Sequence, residues 1–139
     1  MKRKRSKNYH YRGEKDERAP RDITNVSFAP NLVRIRAKAF KGCDRLTSVV
    51  IPDSVTVIEC EAFYNCKSMT HLHLSDRLEA IGVRSFMGCD SLTALSLPST
   101  LISIKARSFL YCLSIRSIHS QNNDALLSLH TIGEDAFAC

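Results

Sequence analysis

The residues best suited to chemistry lie close together in CEAFYNCKSMTHLHL, Cys60 to Leu74. Cys60, Cys66, His71 and His73 fit the pattern C-x5-C-x4-H-x-H, and thiolate and imidazole are the ligands that zinc prefers. His71 and His73 alternate, so on a strand both rings face the same way. A third imidazole, His119, falls two strands further along, roughly 10 Å away at the usual sheet spacing, with Ser96 between. The other reading is that the cysteines belong to a scaffold and the histidines to its exposed face. The sequence favours that reading, and neither a metal nor a cofactor is expected. There is no glycine-rich phosphate loop, no GxSxG and no HExxH, and Glu59 and Glu61 fall on a variable turn, so an enzyme is not expected.

The scaffold shows itself as a repeat. IRAKAFKGCDRL, IECEAFYNCKSM, IGVRSFMGCDSL and IKARSFLYCLSI begin at Ile35, Ile58, Ile81 and Ile104, each 23 residues after the last. Phe40, Phe63, Phe86 and Phe109 keep step, as do Cys43, Cys66, Cys89 and Cys112. A further copy, IGEDAF, starts at Ile132 after a spacing of 28. Between the copies runs apolar-x-x-apolar-x-apolar, as in Leu46/Val49/Ile51 and Leu92/Leu95/Leu97, with an early copy at Ile23/Val26/Phe28. Its alternating end predicts one short strand per unit. Pro52 and Pro98 close two of these strands, where a missing backbone donor does little harm. A unit this small cannot bury its own apolar side and must stack on copies of itself, which gives a solenoid with a parallel sheet. The cysteine column is read as a small, buried, weakly polar filler of a tight turn. Gly42, Asn65 and Gly88 align just before it and predict a left-handed backbone position; Tyr111 breaks that pattern in the fourth copy and is expected to cost some strain there.

The phrase I-x-x-x-[AS]-F-x-x-C-x-x-L-x-x-V-x-I-P resembles the BspA-like leucine-rich repeat, over about residues 22–139. The resemblance implies the leucine-rich-repeat solenoid of the α/β horseshoe class, built mainly of short parallel β-strands and turns with little regular helix. It also implies a protein-binding role; better-known members sit on bacterial or protist surfaces.

The alignment sorts the strand residues by face. Val49 and Ile51 point inward, so Ser48 and Val50 point out. The outward columns are Asn25, Ser48, His71, Ala94, Ser117 and Ser27, Val50, His73, Ser96, His119, all without formal charge. Such a face suits a protein partner, or a carbohydrate, better than a phosphate backbone. The candidate partner-binding residues are Ser48, Val50, His71, His73, Ser96 and His119. A second set follows the phenylalanines on the turn edge: Tyr64, Met87 and Leu110, either an exposed apolar stripe or side chains lying over the core.

Charge divides the chain. Residues 1–21 hold nine Lys/Arg against three acids, while residues 22–139 hold eleven of each. The expectation is therefore a disordered basic tail over 1–21 and a solenoid over 22–139 whose last repeat is incomplete. The run Lys2 to Arg5, KRKR, has the composition of a nuclear-import or nucleic-acid segment. A nucleic-acid-associated or nuclear protein acting through this tail is the alternative function, and a fragment of a larger surface adhesion protein is another. No run of eighteen apolar residues or signal-like segment is read, so the expected setting is intracellular with free thiols, without a membrane. The last strand, at Ile115 to Ile118, is expected to leave an open edge that invites self-association.

Overall fold

In the computed structural model, which describes residues 5–123, 125–126 and 128–139, the 23-residue period becomes one turn of a coil. Among the described residues eleven short strands, numbered in chain order, lie on two faces and alternate between them from β2 onward. One face carries β1 (Asn8–Tyr11), β2 (Asn25–Phe28), β4 (Ser48–Val50), β6 (His71–His73), β8 (Ala94–Leu97) and β10 (Ser117–Ser120). The other carries β3 (Arg34–Ile35), β5 (Val57–Ile58), β7 (Ala80–Ile81), β9 (Ser103–Ile104) and β11 (Thr131–Ile132), joined in the order β11-β9-β7-β5-β3. Every pairing is parallel, and the register follows the repeat: His71 lies beside Ser48, Ile81 beside Ile58. On the first face the strands pair two by two, β1 with β2, β4 with β6 and β8 with β10. Regular helix is confined, among the described residues, to a 3-10 turn at Gln121–Asn123. It falls in the QNNDA insertion, of which Asp124 lies outside the described residues.

The core is a set of columns. Phe40, Phe63, Phe86, Phe109 and Phe137 stack face to face at 4.9, 5.2, 5.1 and 5.3 Å between centroids. A ring of one turn thus shields the ring of the next, and burying each large aromatic is among the strongest contributions a core residue makes. Ile35, Ile58, Ile81 and Ile104 form a second fully buried column on the far ladder.

The turns between the strands are hydrogen-bonded as well. The N–H groups of Lys38, Phe40 and Gly42 donate to the carbonyls of Cys60, Ala62 and Tyr64 in the next turn, while Ala39, Lys41 and Cys43 close local turns on carbonyls three residues back. Amides that alternate in this way need a backbone that reverses hand. Gly42, Asn65, Gly88 and Tyr111 are all left-handed, with φ of 77, 56, 75 and 59°, as the sequence predicts. A second left-handed column was not legible: Lys38, Glu61, Arg84, Arg107 and Asp135, at φ 54–60°. Their charged side chains give no sign of it; the inter-turn hydrogen bonds impose it.

The division at residue 21 needs correction. Residues 8–11 form β1, pair in register with β2 and begin the coil one turn earlier than the sequence suggests. The cause is alternation: Asn8 and His10 face out, while Tyr9 and Tyr11 face in. Tyr11 is fully buried, 5.0 Å from the Phe40 ring and 6.1 Å from Phe28, so it caps the aromatic stack. Its hydroxyl accepts the Arg36 N–H at 2.9 Å. Glu17 then fixes the connecting loop, accepting from the Tyr9 hydroxyl at 2.8 Å and from the N–H groups of Arg12 and Glu14. Partial burial works against the Glu17 carboxylate, but these donors hold its pKa below the ordinary value. Burial, with the Glu17 partner, pushes Tyr9 up to about 12. In this segment the alternation, not the net charge, decides the structure. Lys2 to Lys4 of the KRKR run lie outside the described residues.

Candidate functional site

Each short strand of the first face turns its odd members to solvent. Ser48, Val50, His71, His73 and His119 are exposed, and Ser96 is half-buried. Ser48 and Val50 stand directly beside His71 and His73 across the β4–β6 pair. With Ser96 and His119 from β8 and β10 they line one open depression of about 420 Å³. It spans β6 and β8, which lie side by side without joining into one sheet. A neighbouring depression of about 340 Å³ shares His73, Ser96 and His119 and adds Asp76.

The histidines are tied to hydroxyls. His119 Nε2 and Ser96 Oγ are 2.6 Å apart, and His71 Nδ1 lies 2.8 Å from Thr70 Oγ1. His10, which the sequence reading placed in the tail, joins the same column in register with Ser27, at 2.9 Å from its Oγ. The alternation of NYHY was the signal for it. The Ser96–His119 pair has the spacing of a nucleophile and its base. A working dyad also needs a third group to orient the imidazole and donors for an oxyanion. Among the described residues no carboxylate hydrogen-bonds His119, and the site opens onto a sheet face. The arrangement offers hydrogen-bond donors, acceptors and one apolar patch at Val50.

Cys66 sits in the buried turn while His71 and His73 point out from the strand, so the opening C-x5-C-x4-H-x-H set is divided between inside and outside. Cys60 is exposed on yet another part of the turn. The cysteine column is fully interior. Cys66, Cys89 and Cys112 donate S–H to the carbonyls of Phe40, Phe63 and Phe86 at 3.2, 3.3 and 3.1 Å. Burial pushes the Cys43 thiol up to about 12 and Cys66 well above its ordinary value.

On the turn edge Tyr64, Met87 and Leu110 are half-buried, between the two alternatives the sequence left open. Lys41 lies over the Tyr64 ring, its Nζ 4.8 Å from the centroid. Met87 and Leu110 line a depression of about 410 Å³ with Arg84, Arg107, Tyr111 and Asp135. The exposed large apolar groups of this edge are Tyr111 and Leu113, at the last complete turn.

Short parallel strands on two faces, a buried aromatic column and a 23-residue period define a leucine-rich-repeat solenoid. The family model of the BspA type leucine rich repeat region matches residues 19–139 in six copies, and the chain belongs to that family. The fold is similar to that of a leucine-rich repeat protein from Bacteroides ovatus, with 28% identity and a TM-score of 0.72 over 95% of this chain and 34% of that one. This chain thus spans about a third of that protein's length. A leucine rich cell surface protein from Faecalibacterium prausnitzii matches at 24% identity and a TM-score of 0.49, over 76% of this chain and 40% of that one. The leucine rich repeat protein of T. pallidum matches at 24% and 0.49, over 73% and 63%. No curated protein matches the chain in sequence.

Proposed function

We propose that this chain is a non-enzymatic protein-interaction module. Its partner docks on the strand face formed by Ser48, Val50, His71, His73, Ser96 and His119, and the Tyr64–Met87–Leu110 edge is a secondary contact. The observation that carries this reading is the open depression of about 420 Å³ lined by those six strand residues. Its lining holds no Lys, Arg, Asp or Glu, and it joins small hydroxyls and imidazoles to one exposed valine, a mixture suited to a polypeptide surface. Membership of a repeat family that builds extended binding surfaces supports it. The unpaired thiols support a reducing, intracellular setting for the interaction.

The test is His71→Ser with His73→Ser. Both side chains are exposed, so the melting temperature is expected to stay within about 2 °C of the parent, as for surface changes away from packed groups. A partner captured by the parent and then purified is expected to bind the double variant at least ~10-fold more weakly, the loss of one to two good contacts. Equal affinity for parent and variant would remove the strand face from the interface.

A further inference from the structure

The charges of the turn edge are paired in the later turns and unpaired at the start. In the left-handed column Glu61 is bridged by Lys41 at 2.7 Å and by Arg84 at 4.0 Å, and Arg107 meets Asp135 at 3.6 Å. Lys38 opens the column, and Arg18 and Arg21 lie beside it. Among the described residues none of these three has a carboxylate within 4.0 Å. Arg18, Arg21, Lys38 and Lys41 surround an open cleft of about 230 Å³, whose fifth lining residue is Ala19.

The cleft is held from behind. The Ala19 N–H donates to the Ala39 carbonyl at 2.7 Å, which fixes the Arg18–Arg21 segment against the first full repeat. The Arg21 side chain lies across Gly42, where a Cβ would come within 3.4 Å of its Nε. Lys41 is anchored by Glu61 and Tyr64. Glu61 is the acid that Lys38 feels from a distance, but its carboxylate is already engaged. An adjoining cleft, reached through Arg18, adds Lys15 and Arg36, together with Asp16 and Glu59. The charge of the whole chain follows the same gradient: residues 1–45 hold fourteen Lys/Arg and five acids, residues 46–139 six and nine.

We propose that this cleft binds phosphates of a nucleic-acid backbone. Arginine forks pair with phosphate oxygens in a planar, bidentate fashion. Four cations around one cleft, with Arg18 also lining the neighbouring cleft where Glu59 already bridges Arg36 at 3.7 Å, fit a repeating anion with one charge per about 3.4 Å of strand. The cleft lacks an aromatic platform other than Tyr64 beneath Lys41, so recognition is of the backbone and independent of sequence. The site thus belongs to the folded first turn rather than to the KRKR run.

The experiment is fluorescence anisotropy of a labelled single-stranded oligo-dT with the full chain, titrated with salt. Two variants are compared: Arg18→Ala/Arg21→Ala/Lys38→Ala, and Lys2→Ala/Arg3→Ala/Lys4→Ala/Arg5→Ala. All seven changes remove cations, of which Arg18, Arg21 and Lys38 are exposed, and thermal melts establish that each variant folds. The cleft variant is expected to bind at least ~10-fold more weakly at low salt and to lose about 2 units of the log–log salt slope, at about 0.7 per phosphate contact on a single strand. The KRKR variant, with one more charge removed, is expected to lose less. The proposal is overturned if the parent does not bind the oligonucleotide, or if the KRKR variant loses as much as the cleft variant. It is equally overturned if heparin or polyglutamate of matched charge binds the cleft more tightly than the oligonucleotide.

Discussion

A buried thiol that already donates to a carbonyl has little left to offer a reagent. Cys43, Cys66, Cys89 and Cys112 are in that position, and for Cys43 and Cys66 burial disfavours the reactive thiolate outright. Cys60 and Cys139 are exposed. In the native protein Ellman's reagent is expected to titrate those two thiols quickly and the remaining four only when denaturant is added. Rapid release of more than two equivalents would show that the column opens to solvent. The burial of this column and of Phe40 to Phe109 was legible because the same residue recurs at the same step, and a residue type kept in four turns is kept for one environment. The outward row with His71 and His73 was legible for the opposite reason, since alternation fixed its direction while the residues themselves varied. The left-handed backbone at Lys38, Glu61 and Arg84 was hidden: sequence encodes positive φ through Gly or Asn, and here hydrogen bonds between turns override that preference.

At the scale of the element, the first turn shows how a wrong feature can dominate a reading. Nine cations in twenty-one residues suggest an unpacked tail, yet four residues of period-2 alternation, NYHY, are enough to make β1. The reason is that β1 builds on an existing edge. Its backbone pairs with β2, and Tyr11 closes the end of an aromatic stack that would otherwise face water. Tyr11→Ala is expected to destabilise the protein by about 3–5 kcal/mol, the range for a large buried aromatic, with the lost Arg36 hydrogen bond included. Removal of residues 1–21 is expected to cost at least as much, because it strips the cap from Phe28 and Phe40 together. Denaturant titration checks both. A loss below about 1 kcal/mol for Tyr11→Ala, the typical size of an ordinary substitution, would mean that β1 adds nothing to the fold.

Over the whole molecule, a coil of stacked turns buries each turn against two neighbours and leaves a bare face at either end. At the β1 end Tyr11 and Phe28 close the aromatic column. At the other end, among the described residues, β10 pairs only with β8 and β11 only with β9. The residues equivalent to buried Leu95 and Ile104 are Ile118 and Ile132, which are 45% and 59% exposed. On the turn edge Tyr111 and Leu113 are 51% and 64% exposed, and the outer ring of the stack is Phe137. Two edge strands that each carry a partly exposed isoleucine form a template for another chain. The expected outcome is reversible association of this chain as its concentration rises from the micromolar to the millimolar range, seen as a growing sedimentation coefficient. Ile118→Lys with Ile132→Lys places a charge on each edge strand, the usual protection of an open edge. That variant is expected to remain a single monomeric species across the same range, and a thermal melt establishes that it folds, the two side chains being 45% and 59% exposed. A parent that sediments as a monomer at every concentration, indistinguishable from the variant, would show that these edges do not drive association.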